Sequence, residues 1–298
     1  MNSFARKIGN YFSFVKFSHT VFAMPFALVG FSLAVSGNDH RFSLKLFLLI
    51  VLCMIFARNA AMGFNRYADK KYDALNPRTA SREIPSGKIE SFSALLFVII
   101  NAALFITTTF FINQLTLILS PVALIIILGY SLTKRVTVLC HFVLGLALSL
   151  APIGAYISVT GEFNSLPLVY SLIVLTWVSG FDIIYALQDD EFDRSINLFS
   201  IPSKTGRHTA LIISNSIHFI TFILVITAGF MGSSGCLFWI GAALFSILLL
   251  YQHLIVKQND ISRVNLAFAT TNGIASIVFA AFVIFDLFLN KNILAIFK

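Results

Sequence analysis

Apolar residues run almost unbroken along most of this chain, and polar residues collect in the gaps between the runs. Nine runs lie near 14–36, 43–68, 91–112, 114–132, 136–158, 165–188, 208–230, 235–255 and 264–288. Each is about 17 to 27 residues long, enough for a helix to cross a hydrocarbon layer roughly 30 Å thick. The pattern predicts an all-α integral membrane protein with nine transmembrane helices, a single membrane-embedded domain over residues 1–298. Only a short gap at Asn113 parts the third run from the fourth. The first run is long and further spans follow it, so no cleaved leader is expected.

Composition agrees. The chain has 298 residues, 58% hydrophobic and 11% charged, with a mean hydropathy of +0.88, far more apolar than a soluble domain. With nine spans, the N-terminus and the loops after spans two, four, six and eight share one side. Fifteen of the 21 lysines and arginines fall there, against four (Arg41, Lys45, Lys291 and Lys298) on the other side, with Arg58 and Arg66 inside span two. The richer side is expected to be cytoplasmic. A net charge of +8 then needs no nucleic acid: it follows from this bias and from attraction to anionic membrane lipid.

The acids are scarce and clustered. Eight of the 13 fall in two stretches, Phe64 to Gly87 and residues 181–206. In the first, Asn65, Asp69 and Asp73 stand four apart, which puts them on one helical face spread over roughly 12 Å. In the second, Asp189 and Asp193 repeat that spacing 120 residues later, and Asp182 is expected on the same face about two turns deeper. Carboxylates stacked this way repel unless a cation lies between them. Both stretches open onto the predicted cytoplasmic side, so together they read as a site for hard cations and the anion those cations hold. The offset also relates spans one to four to spans five to eight as two parallel four-helix halves, with one helix more. A cation-coupled transporter also uses intramembrane acids, but it would set them near the midplane of an inverted repeat.

Other polar residues refine this picture. Arg58 lies inside span two, where a charge is costly and implies a task. It shares a stripe with Met62, Asn65, Asp69 and Asp73, about 10 Å deeper than Asn65. It reads as a binder for an anionic ligand group or as a structural partner of a carboxylate such as Asp182. His19 reads as an interfacial residue, Pro25 as a kink, and the loop carrying Arg78 and Arg82 as a lid. Lys134 and Arg135 form a basic pair after span four. Cys53, Cys140 and Cys236 read as small buried side chains, and Ser214, Asn215, Ser216, Thr270, Thr271 and Asn272 as helix-packing groups.

These motifs carry a resemblance. NRYADKKYD followed by NPRTASREIPSG, and DIIYALQDDEFD later, resemble the NxxxDxxxD and DxxYxxxDxxxD signatures of the UbiA superfamily of intramembrane aromatic prenyltransferases. The likeness covers nearly the whole chain, including a YxxxKR segment at Tyr130–Arg135. KFSHTVFAMPFAL, MGFNR and FSIPSKTG point toward the 4-hydroxybenzoate polyprenyltransferase-like members of quinone biosynthesis. The resemblance implies a UbiA-like fold in a bacterial inner membrane and two Mg2+ ions held at Asn65, Asp69, Asp73, Asp189 and Asp193, the four aspartates being catalytic. It implies a polyprenyl diphosphate held by Lys134 and Arg135, with Arg78 and Arg82 as further contacts. It also implies an aromatic acid acceptor held by Arg58, with Asp182 and Tyr185 beside it. Two acceptors fit, 4-hydroxybenzoate and 1,4-dihydroxy-6-naphthoate; prenylation of haem would leave Arg58 without an acid partner.

Overall fold

The computed structural model describes residues 9–11, 13–15, 22–37 and 42–296, with side chains up to residue 289. Arg6, Lys7, Lys16, His19, Arg41 and Lys298, and the side chain of Lys291, therefore lie outside the described residues. The elements, in order, are α1 (Met24–Ser36), α2 (Leu44–Leu75), α3 (Ser91–Phe110), α4 (Gln114–Thr133), α5 (Cys140–Thr160), α6 (Ser165–Ala186), a short α7 (Asp190–Ser195), α8 (Ile201–Met231), α9 (Cys236–Ile255), a π-helical turn (Leu266–Thr271) and α10 (Asn272–Ile296). Among the described residues eight helices are long and apolar enough to cross a membrane, and α1 is a shorter apolar helix. The all-helical membrane architecture read from the sequence is the one observed.

Side chains set most of the helix boundaries. Asn113 separates α3 from α4: its Oδ1 accepts from the Thr116 N–H at 2.8 Å, an N-cap, while its Nδ2 donates to Ile157 O of α5 at 2.9 Å. Asn164 caps α6, and Ser200 with Ser203 forms a capping box at the start of α8. Pro25 opens α1 rather than kinking it, since an N-terminal proline loses no intrahelical hydrogen bond. Cys236 is exposed at the start of α9, not buried as its apolar surroundings suggested; Cys53 and Cys140 are buried.

In both halves the motif-bearing helix packs on the span that follows it, α2 on α3 and α6 on α8, and α5 sits centrally against α1, α4 and α6. Close approach makes the α1–α5 seam: a Cβ at Gly30 would fall 2.0 Å from the Pro152 carbonyl oxygen. The main core is aromatic, with Phe26, Trp177, Phe238, Phe245 and Phe279 fully or almost fully buried. Of the polar groups expected to pack helices, Ser214 and Asn272 bridge them, whereas Asn215, Ser216 and Thr270 are exposed on the surface of the bundle. Ser214 Oγ donates to Gly180 O at 2.7 Å, and Trp177 Nε1 donates to Asn272 Oδ1 at 2.9 Å.

Two departures bear on the site. First, α2 runs 32 residues, to Leu75, about 48 Å at 1.5 Å per residue, so its last turns outreach the hydrocarbon and carry all of Asn65, Asp69 and Asp73. Second, α6 ends at Ala186, three residues before Asp189. The turn tightens through Leu187 N–H to Ile184 O and Asp189 N–H to Ala186 O, and α7 starts afresh with Asp189 at its cap. The expected continuous face from Asp182 to Asp193 therefore does not form.

Candidate active site

One large cavity, about 950 Å³, runs through the bundle. Its wide end is lined by Asp69, Asp73, Asp189 and Asp193, and its far end reaches Thr109, Thr116 and Phe163, beside the opposite ends of α3, α4 and α5. Between these lie mainly apolar walls, among them Ile50, Phe105, Leu119, Ile126 and Ala151. The stripe from Arg58 through Met62, Asn65 and Asp69 to Asp73 lines it throughout, as the four-residue spacing on one helix predicts.

At the wide end each motif aspartate meets a cation. Arg135 Nη2 donates to Asp69 Oδ1 at 3.0 Å, and Arg82 Nη1 to Asp73 Oδ1 at 2.6 Å. Lys134 Nζ lies 2.7 Å from Asp193 Oδ2. Arg78 grips Asp189 with two prongs, Nε to Oδ1 at 2.9 Å and Nη2 to Oδ2, the planar fork-to-carboxylate geometry that favours arginine. The two stretches are thus joined: Arg78 and Asn76, just beyond α2, both bond Asp189 across the cavity. A backbone bond from Phe199 N–H to Lys134 O, 2.7 Å, ties the α4 end to the second stretch. Arg135 lies over the Tyr72 ring and Arg78 over the Tyr185 ring.

Electrostatics follow from the pairing. Burial alone would raise the Asp189 carboxyl, but the bonds from Arg78 and Asn76 hold it below the usual carboxylate range. Burial would lower Lys134, yet the Asp193 carboxylate wins and raises it. The donor set suits a hard cation. Asn65 Nδ2 donates to Asp69 Oδ2 at 3.2 Å, leaving the Asn65 amide oxygen as a possible ligand atom, and Asp73 Oδ2 is buried with no hydrogen-bond partner among the described residues. No three carboxylate, imidazole or thiol groups among the described residues gather as a ready-made metal cage. Oxygen donors of this kind fit an ion that keeps several waters and takes phosphate oxygens, as magnesium does.

The remaining predicted site residues also line the cavity, in positions the sequence did not show. Asp182 accepts from His141 Nδ1 at 2.7 Å, while the Ile201 N–H donates to His141 Nε2 at 3.2 Å, which assigns the ring proton to Nδ1. Tyr185 OH accepts from Arg78 Nη1 at 3.1 Å, and its ring stacks on Phe268 at 4.1 Å between centroids. Arg58 Nη2 donates to Val15 O at 3.2 Å. Sequence reasoning passed over His141, Arg66 and Glu83, all cavity-lining. A lone histidine in an apolar span and an arginine inside span two were the available signals.

The profile of the UbiA prenyltransferase family matches residues 23–290. The chain belongs to the UbiA prenyltransferase family. A 4-hydroxybenzoate octaprenyltransferase of Aliivibrio fischeri (strain MJ11) is 30% identical over 236 residues, covering 78% of this chain and 81% of the relative. Among solved structures, a UbiA homolog from Aeropyrum pernix K1 superposes with a TM-score of 0.82 at 32% identity, covering 90% of this chain and 98% of that one. A UbiA homolog from Archaeoglobus fulgidus bound to GPP and Mg2+ shares the fold, with a TM-score of 0.71 at 23% identity over 93% of this chain and 99% of its own. The protein is a UbiA-family prenyltransferase.

Proposed function

We propose that this enzyme transfers a polyprenyl group from a polyprenyl diphosphate to a hydroxylated aromatic acid, 4-hydroxybenzoate or 1,4-dihydroxy-6-naphthoate, in quinone biosynthesis. The observation that carries this reading is the meeting of four acid–base pairs at the mouth of a cavity whose walls are apolar and whose flank holds Arg58. A transporter reading is disfavoured because the acids gather at one end of the bundle, not at its midplane.

Asn65, Asp69, Asp73, Asp189 and Asp193 would hold magnesium, which when bound neutralises the diphosphate and stabilises it as a leaving group. Arg78, Arg82, Lys134 and Arg135 stand at those same carboxylates, so small side-chain rotations would bring them to phosphate oxygens. The allylic C–O bond breaks with its electron pair leaving on the diphosphate, and the apolar walls keep water from the allylic cation. The ring carbon ortho to the phenolic hydroxyl forms the new C–C bond and then loses its proton to the released diphosphate. Arg58 takes the acceptor carboxylate, and Asp182 and Tyr185, held by His141 and Arg78, border the ring. The site opens to the cytoplasmic side of a bacterial inner membrane, in keeping with the basic-residue bias of its loops, and residues 1–298 act as one domain.

The test incubates membranes containing the protein with magnesium, labelled polyprenyl diphosphates of several lengths and each acceptor, and identifies products by mass. A prenylated aromatic acid is expected. Products with no aromatic acceptor, or none that depend on a diphosphate donor, would overturn the reading.

A further inference from the structure

A second polar corner adjoins the metal end of the cavity. Arg66 is only 4% exposed and Glu83 only 7%, and both line the cavity. Arg66 Nε and Nη1 are buried without a hydrogen-bond partner among the described residues, and so is Glu83 Oε2. The two do not form an ion pair with each other, although Glu83, Asp73 and Arg82 all lie within electrostatic reach of Arg66. The rest of the corner is fixed. Ser13 Oγ donates to Glu83 Oε1 at 2.5 Å, and the Ile89 N–H to the Glu83 carbonyl at 3.0 Å. A buried guanidinium with free donors and a buried carboxylate with a free acceptor, lining one cavity, are costly unless something satisfies them.

The mixture of charges says what that something is. A diphosphate or a carboxylate would meet the carboxylate of Glu83 and be repelled; a bare cation would meet Arg66. A hydroxyl, which both donates and accepts, satisfies both sides. Resting on the proposed aromatic acceptor, we propose that Arg66 and Glu83 form a binding corner for the acceptor's ring hydroxyl. Arg66 Nη1 donates to the hydroxyl oxygen, and the hydroxyl donates to Glu83 Oε2. Arg58, eight residues earlier on α2 and about 12 Å deeper by helix rise, takes the other end of the same molecule. The acceptor is thereby held at both poles, and an aromatic acid lacking the hydroxyl leaves buried groups unpaired, which is the strongest basis for rejecting it.

The test compares wild type, Arg66→Met, Arg66→Lys and Glu83→Ala in membranes. It measures KM for acceptor and for prenyl diphosphate, and competitive inhibition by 4-hydroxybenzoate-type acids with and without the ring hydroxyl. Arg66→Met and Glu83→Ala are expected to raise acceptor KM about ten- to a hundred-fold, to leave diphosphate KM within about twofold, and to erase the inhibitory advantage of the hydroxyl. Arg66→Lys, which restores a donor but not the fork, is expected to recover part of that advantage. Unchanged preference for the hydroxyl in any folded variant would overturn the proposal. So would a rise confined to diphosphate KM, or a loss of thermal stability with both KM values drifting together. If Arg66→Met does not accumulate in the membrane, Arg66→Lys and Glu83→Ala decide by the same readouts. A wild type that prenylates no aromatic acid refutes the proposed function, whereas normal prenylation with intact hydroxyl preference in the variants refutes the corner alone.

Discussion

Asp69 and Asp73 stand on the last turns of one continuous 32-residue helix, whereas Asp189 and Asp193 straddle a break, one capping and one inside the short α7. The spacing is the same, but the support is different. In the first stretch the helix itself sets the geometry, and the cations Arg82 and Arg135 come to it from the following loop and from the end of α4. In the second the backbone turns away from α6, and its position depends on tertiary ties: Arg78 and Asn76 on Asp189, Lys134 on Asp193, and Ser200 Oγ donating to Asp193 Oδ2 at 3.1 Å. A continuous helix thus presents one pair of carboxylates, and a tethered loop brings the other pair to the same cavity. The loop between α2 and α3 is the tether. It is therefore part of the site even where no substrate touches it.

The largest expected effect treats the two stretches alike. On the proposed function Asp69→Ala and Asp189→Ala each remove a hard oxygen ligand, so turnover should fall by well over the roughly 100-fold seen for loss of an outer-sphere partner, while expression in the membrane holds. Product formation from labelled diphosphate checks this, and substantial activity in either variant would mean that one stretch does not take part.

The next effect separates them. Arg78→Ala unlatches the second stretch and leaves the Asp189 carboxylate, nearly buried, without its fork; a loss of about 1.5–3 kcal/mol is expected for such a charged contact. Arg82→Ala removes a tie within the first stretch, where the helix still holds Asp73 and Arg66 still lies within electrostatic reach; less than half that loss is expected. Thermal unfolding of the purified variants measures both. Equal losses would mean that the first stretch depends on its loop as much as the second.

This contrast was only partly legible in the sequence. The apolar runs gave the spans, because length and hydropathy decide membrane crossing almost alone. The asparagine between runs three and four proved to be a cap, a local device that residue type does signal. A four-residue spacing, by contrast, reads as helix whether or not the chain turns at Leu187, so the break between Asp182 and Asp189 was invisible. The partners were hidden for another reason. Arg78 and Asp189 lie 111 residues apart, and nothing local says which acid a loop arginine will reach. Arg66 and Glu83 looked like ordinary charges because burial, which makes them informative, is a property of the packed bundle.

A smaller test addresses the backbone of the second stretch. Asn197, just after α7, has φ +58°, a left-handed conformation that asparagine tolerates and most side chains do not. Asn197→Ala should cost about 1 kcal/mol of stability, and Asn197→Gly close to none, by thermal unfolding. An alanine variant as stable as wild type would show that the turn relaxes into another conformation.

The two stretches, so differently supported, are expected to act as one metal–diphosphate site. Binding of a prenyl diphosphate to the purified protein, titrated with and without magnesium, tests it most directly in wild type, Asp69→Ala, Asp189→Ala and the double variant. Magnesium-dependent binding is expected in wild type, with its loss in either single variant and no further loss in the double, since groups that act as a unit are not additive. Magnesium-dependent binding that survives in one single variant, or losses that simply add, would contradict it.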